Sequence, residues 1–379
     1  MDFYYLVEAF LTLLFLSINY FITSFFLFLD NIFYPGFRRI KIEKPVFIIG
    51  HPRSGTTFLH RLFTQSDEIA AFKSWHLFCP ALTQRFLMSP LFNFLIQKNR
   101  TELIPETVGT HMTLDKAEEE ELLFLHKFDT QFIVLALGFL DDSFRDLRFH
   151  DLQPRKRRIK SVKFLKSCFQ RQIFYTGKAQ IFAQMHYSTH RIKTLLEVFP
   201  DARFIYIDRT PYDTLPSYFS LLFFAFNKYS KHKKFLTQDF NRYIAYRYQA
   251  SKELYQYFHE IWHNEEVVRN NVLIVPYNML RNDLMAVYKN IVEFTGIDTS
   301  KELEEAFQKQ AENQTQYKRK HTVKKIEEFG IDENRLKNDF AFYFKNGFAK
   351  SGLNIQQNFD GKPPDGILHG QSGIDGKPP

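Results

Sequence analysis

The sequence predicts an α/β protein, a parallel β-sheet flanked by helices and preceded by an N-terminal membrane helix. Three observations predict it. A short apolar run, Val46–Ile49, is bounded by Pro45 and by a glycine turn that leads into a helical pattern. A second apolar run, Arg203–Asp208, follows a helical stretch closed by Pro200-Asp201. Strand, loop, helix and then helix, strand, loop is the order of a parallel sheet with helical crossovers. The third observation is an uncharged stretch close to the first residue.

That stretch runs from Ala9 to Leu29, 21 residues between Glu8 and Asp30. As a helix it is roughly 30 Å long, about one hydrocarbon core. No basic stretch precedes it and no small-residue cleavage site follows, so it reads as a retained anchor over residues 1–35. An in-plane anchor or a buried core helix is the alternative. Asp2 and Glu8 lie before it; Arg38, Arg39, Lys41 and Lys44 lie after it. The positive-inside bias then puts the body of the chain on the cytoplasmic side.

The body begins after Pro35-Gly36 and continues to about residue 350. Beyond the strand at 46–49, Thr56–Gln65 reads as a helix, as do Ile192–Phe199, Asn241–Asn264 and Asn282–Thr295, and Val272–Pro276 reads as a further strand. Residues 351–379, with DGKPP at 360–364 and again at 375–379, are too rich in Gly and Pro to bury a core and read as disordered. Cys79 and Cys168 are the two cysteines, and no paired spacing points to a disulfide frame or a metal site. The formal charge of +8 calls for an anionic partner. Eight Lys/Arg and no acid lie between Arg155 and Arg171, either a solvated helix face or a lipid-headgroup surface. No interleaved aromatic platform accompanies that run, so a nucleic-acid partner is not expected.

The chemistry is concentrated at Gly50–Thr57, GHPRSGTT. A G-x-x-x-x-G frame followed by two hydroxyl residues is close to the nucleotide P-loop, which makes the sheet P-loop-like. Successive backbone N–H groups at a helix N-terminus would stabilise an anion there. A P-loop NTPase needs a lysine after the second glycine. Here Thr56 holds that position and the cation is Arg53, inside the loop. An NTP-dependent kinase is the alternative reading, and the missing lysine counts against it.

The string VFIIGHPRSGTTFLHRLF resembles the donor loop of the PAPS-dependent sulfotransferase superfamily, in the branch whose loop reads G-H-x-R-S-G-T-T-x-L-H. The resemblance implies that Arg53, Ser54, Gly55, Thr56 and Thr57 bind the 5′-phosphosulfate of PAPS, with PAP as product and no metal. Arg209-Thr-Pro-Tyr-Asp-Thr-Leu-Pro-Ser217, placed after a strand, is similar to the family's Arg and Ser that hold the 3′-phosphate. A Thr stands where the family usually has an acid after the Arg. Ala117–Phe124 (AEEEELLF) and Val275–Ile297 resemble further family segments, and Gln316–Phe348 resembles a C-terminal lid over the nucleotide.

Sulfuryl transfer needs a base for the acceptor hydroxyl and cations for the leaving phosphate. Arg53 suits the leaving group. For the base, relatives place a Glu or His after the first helix, which points to His76. Glu119, in the acidic segment, is the second candidate, although four consecutive glutamates also read as a solvated face. His60, one turn into the helix, reads as a packing residue. Many relatives carry a lysine before the helix leading to FPDA. A gapless reading puts Gln184-Met185-His186 there, so either the lysine is lost or Lys178 supplies it from a shifted position, with His186 or Lys178 as the residue that compensates. A member that binds PAPS without turnover is therefore a further alternative. The anchor favours a membrane-associated small molecule as acceptor, such as a lipid, a sterol or a glycan. Anchored relatives that face the Golgi lumen leave the opposite orientation as the alternative.

Overall fold

The computed structural model describes residues 3–104, 111–137, 145–229, 237–314 and 323–346. The tail at 351–379 lies outside them, as do residues 316–322 of the expected lid. Helix α1 spans Phe3–Phe33, and β1 (Val46–Ile49) feeds α2 (Thr56–Phe63), α3 (Ser74–Phe78) and α4 (Leu82–Gln97). A small hairpin, β2 (Glu102–Ile104) and β3 (Met112–Thr113), is followed by α5 (Phe132–Leu137), α6 (Arg155–Thr176) and β4 (Phe182–Gln184). Then come α7 (Ile192–Val198), β5 (Arg203–Asp208), α8 (Pro211–Tyr229), α9 (Thr237–Asn264), α10 (Glu266–Asn271) and β6 (Val272–Pro276). The last described helices are α11 (Tyr277–Asn282), α12 (Leu284–Thr295), α13 (Lys301–Gln314), α14 (Glu333–Asp339) and α15 (Ala341–Asn346).

The four main strands form one parallel sheet in the order β4-β1-β5-β6. Side chains alternate between its two faces, and both faces are buried, which is why the strands are apolar throughout rather than alternating. Phe47, Ile49, Phe204 and Tyr206 meet Leu165 and Phe169 of α6 and Phe258 of α9. Val46, Ile48, Ile205 and Ile207 meet Leu59 and Phe63 of α2, Ile291 of α12 and Phe307 of α13 on the opposite face. The three expected strands are present. The edge strand β4 was not expected: three residues ending in Gln carry too little pattern to be read.

Helix α1 is long and apolar enough to cross a membrane by length and composition. It also packs on the body. Asp30 is fully buried, and its carboxylate accepts from the backbone N–H of Leu82 (2.9 Å) and Thr83 (2.7 Å) at the start of α4 and from Arg171 Nε of α6 (2.6 Å). At the other end of the chain, Tyr343 of α15 donates to Asp208 Oδ1 (2.8 Å) and Lys324 N to Ser220 Oγ (2.9 Å). The described part of the expected lid thus lies over α8 and the end of β5.

Candidate active site

The loop between β1 and α2 is shaped by its glycines. Gly50 has φ +136°, and a Cβ there would lie 2.8 Å from the backbone oxygen of Ile207, so only glycine fits against β5. Arg53, at the loop's apex, also takes a positive φ, +74°, which strains a residue with a Cβ. Gly55 is the N-cap of α2 (φ +100°) and supplies no side-chain cap. The N–H groups of the first turn of α2 are therefore open toward the loop, with the positive end of the helix dipole behind them. Ser54 Oγ, fully buried, has no hydrogen-bond partner among the described residues. An uncapped helix start and an orphaned hydroxyl make a cradle for an anion.

The second motif meets this loop directly. Arg53 Nε donates to Ser217 Oγ of α8 (3.2 Å), and Arg209 Nη1 donates back to the carbonyl oxygen of Arg53 (2.7 Å). The Arg209 guanidinium lies 4.0 Å from the centre of the Tyr277 ring. Buried Arg209 has no carboxylate partner among the described residues, and its Nε is unbonded. Two strings more than 150 positions apart therefore form one cationic wall, joined by bonds in both directions.

Gln184, the last residue of β4, faces the same loop: its Nε2 donates to Thr57 Oγ1 (2.9 Å) and lies 3.4 Å from Thr56 Oγ1. Lys178 precedes β4 at the opposite end of the sheet and pairs with Asp67 (3.1 Å). The neutral amide of Gln184, and not a shifted lysine, stands beside the two threonines.

The glutamate run departs from a solvated helix face. Glu120–Lys127 is a 3-10 segment, and Glu119, Glu120 and Glu121 are all buried. Each carboxylate binds a different residue. Glu118 pairs with Arg61 of α2. Glu119 Oε1 lies 2.7 Å from His186 Nδ1. Glu120 accepts from the backbone N–H of Gln184 (2.8 Å) and sits 3.3 Å from His60 Nε2, and Glu121 accepts from Ser188 Oγ (2.5 Å). Burial raises the carboxyl pKa of Glu119 against the pull of His186, and that of Glu121 against Arg191. His60 thus packs by tying α2 to the acidic segment.

His76 is placed elsewhere. Its Nδ1 is reached by Lys73 N (3.3 Å) and Gln172 Nε2 of α6 (3.4 Å), and its ring meets Trp75 and Tyr175 edge-on. Burial first, then Arg85 and Lys73, hold its pKa well below 6.5. None of these neighbours belongs to the loop or to α8. His186 is different: its Nδ1 lies 2.7 Å from Glu119 Oε1, and no hydrogen bond to its Nε2 is present among the described residues. The sequence reading weighed His186 only as a stand-in for a lysine. Its place two residues after Gln184, where the gapless reading sets the relatives' lysine, was the available signal.

Comparison with known proteins follows this geometry. The profile of the Sulfotransferase family matches residues 45–301. Two curated relatives, the omega-hydroxy-beta-dihydromenaquinone-9 sulfotransferases Stf3 of Mycobacterium bovis and Mycobacterium tuberculosis, are each 28% identical over 180 residues. Those matches cover 46% of this chain and 44% of the relatives, less than half their length. The crystal structure of sulfotransferase STF9 from Mycobacterium avium superposes with a TM-score of 0.65 at 18% identity, covering 84% of this chain and 80% of that one. Sulfotransferase STF1 from Mycobacterium tuberculosis gives 0.63 at 16% identity, covering 86% and 84%. These two likenesses show a shared fold.

Proposed function

The chain belongs to the sulfotransferase family, and from that premise we propose that it transfers a sulfo group from PAPS to a hydroxyl of a lipid-like, membrane-associated acceptor. One observation carries the donor assignment: the reciprocal bonding of Arg53 with Ser217 and of Arg209 with the Arg53 carbonyl. A P-loop kinase has no need of that second wall. In this reading Arg53, Ser54, Gly55, Thr56 and Thr57 hold the 5′-phosphosulfate, and Arg209 and Ser217 hold the 3′-phosphate. The body over residues 45–350 is the catalytic domain, on the cytoplasmic side.

PAPS supplies a sulfo group activated by its phosphate leaving group. The residues do the rest. His186 Nε2 takes the proton of the acceptor hydroxyl as its oxygen bonds to sulfur, while Glu119 fixes the ring and stabilises the imidazolium. The sulfur–oxygen bond to the phosphate breaks in line, and the charge left on that oxygen falls to Arg53 and the α2 N-terminus. Gln184 orients Thr57 without adding charge. The acceptor class is supported by the compound for which the Stf3 relatives are named, omega-hydroxy-beta-dihydromenaquinone-9.

Purified full-length chain in detergent should melt several degrees higher with PAP, and Arg53→Ala or Arg209→Ala should abolish that rise. No rise at millimolar PAP overturns the donor assignment. Incubating membranes with radiolabelled PAPS then identifies the labelled acceptor, and PAP binding without any labelled product would mark a binding-only member.

A further inference from the structure

Helix α1 is amphipathic in the reverse sense. Its buried or half-buried side carries Thr12, Asn19, Thr23 and Asp30, where Thr23 donates to Asn19 and Asp30 ties α4 to α6. The outward side carries Phe10, Phe15, Phe21, Phe25, Phe28 and Phe33, each 58–69% exposed. Helix α4, packed beside it, continues the same surface with Phe86, Leu87, Leu91 and Phe94, all exposed. Two adjoining helices thus present mainly phenylalanine and leucine outward, with Asn93 and Gln97 of α4 the exposed polar residues beside Phe94.

A single crossing by α1 conflicts with what surrounds it. Lys127 Nζ lies 5.1 Å from the ring centre of Tyr20, in the middle of the apolar run, and 4.7 Å from that of Phe164 of α6. Arg171 of α6 reaches Asp30 near the other end of α1. Helix α6 is therefore joined to α1 at two places, through Lys127 and through Arg171, and it carries the exposed Lys156, Lys160 and Lys163. Crossing would carry these charges toward the hydrocarbon centre, at about 2.5–3.5 kcal/mol each. Lying in the plane of one leaflet puts the phenylalanines among acyl chains and the lysines among headgroups. We propose that α1 and α4 together form an in-plane platform on an anionic lipid leaflet, with the basic face of α6 as its electrostatic border. The platform uses neither the loop nor Arg209, so it stands apart from the sulfo-transfer reading.

Flotation of the full chain with phosphatidylcholine vesicles, with and without phosphatidylglycerol, tests it. The native chain should float with both and prefer the anionic ones, a preference that fades in high salt. Phe86→Glu/Phe94→Glu on α4 should lower the bound fraction about tenfold or more, and Lys160→Glu/Lys163→Glu should remove the anionic preference. Circular dichroism melts establish that each variant folds, independently of PAP. An α4 variant that floats like the native chain would favour a lone spanning α1 and overturn the platform. So would a detergent-free dimer that the α4 variant splits while native chain fails to float, because the face would then be an interface between copies.

Discussion

Glu119 and His186 are far apart in sequence and 2.7 Å apart in space, and the proposed base depends on that contact. His186→Ala should lower turnover by about 10²–10⁴-fold while the rise in melting temperature with PAP is kept. Glu119→Gln keeps a side chain that can bond Nδ1 but loses the charge that favours the imidazolium, so it should give a smaller loss with a displaced pH–rate profile. His76→Ala removes a buried ring wedged between Trp75 and Tyr175, so it should lower the melting temperature and leave turnover within a few fold. Full activity in His186→Ala, with a large loss in His76→Ala, would return the role to His76. The contrast shows what one sequence reveals. Arg53 and Thr57, or Arg209 and Ser217, lie in continuous strings whose spacing is visible in the sequence. A base paired with a carboxylate from another element is created by tertiary packing, and spacing counted from the loop led instead to a histidine turned toward α6.

At the scale of elements, the loop depends on Gly50. Gly50→Ala would force a Cβ against the Ile207 carbonyl at a φ that alanine disfavours, at a cost of about 1–3 kcal/mol. A melting temperature lower by several degrees and loss of the PAP-induced rise are expected. An unchanged PAP response would show that the loop does not set the site's shape. The strands flanking this loop were legible because burial on both faces leaves an unbroken apolar run between turn signals. One element was misleading for a physical reason. The glutamates read as solvated because nothing local announces Arg61, His60, Gln184 N and His186 as their partners. The α1 run reads as a span because it is long and its outward face is apolar, and the helix is long and apolar enough to be one. The polar residues Thr12, Asn19, Thr23 and Asp30, at helical spacing, were the sign that one side rests on protein.

Over the whole molecule, buried histidines set the response to acid. Burial lowers the pKa of His51 and His190 to about 3 and of His126 to about 4, and holds His76 and His150 well below 6.5. Unfolded, each of the five takes up a proton as pH falls through 6.5, and folded it does not. Their contribution to stability is therefore complete above pH 6.5 and is lost as pH falls toward their folded values, at about 1.4 kcal/mol per pH unit for each proton. Four carboxyls act in the opposite sense. Burial raises Asp208 to about 7, and raises Glu118, Glu119 and Glu121 as well, so the folded chain holds protons that the unfolded chain releases and loses stability as pH rises through that window. The histidines outnumber them, and the melting temperature should fall from pH 7 to pH 5. His126→Gln isolates one proton. His126 Nε2 lies 2.7 Å from the Leu77 carbonyl oxygen, and a glutamine amide can keep that bond without titrating. The variant should lose less stability between pH 7 and pH 5 than the native chain, by about 1.4 kcal/mol per unit, as measured by denaturant melts at each pH. Parallel curves would mean that His126 does not hold its neutral form in the folded chain.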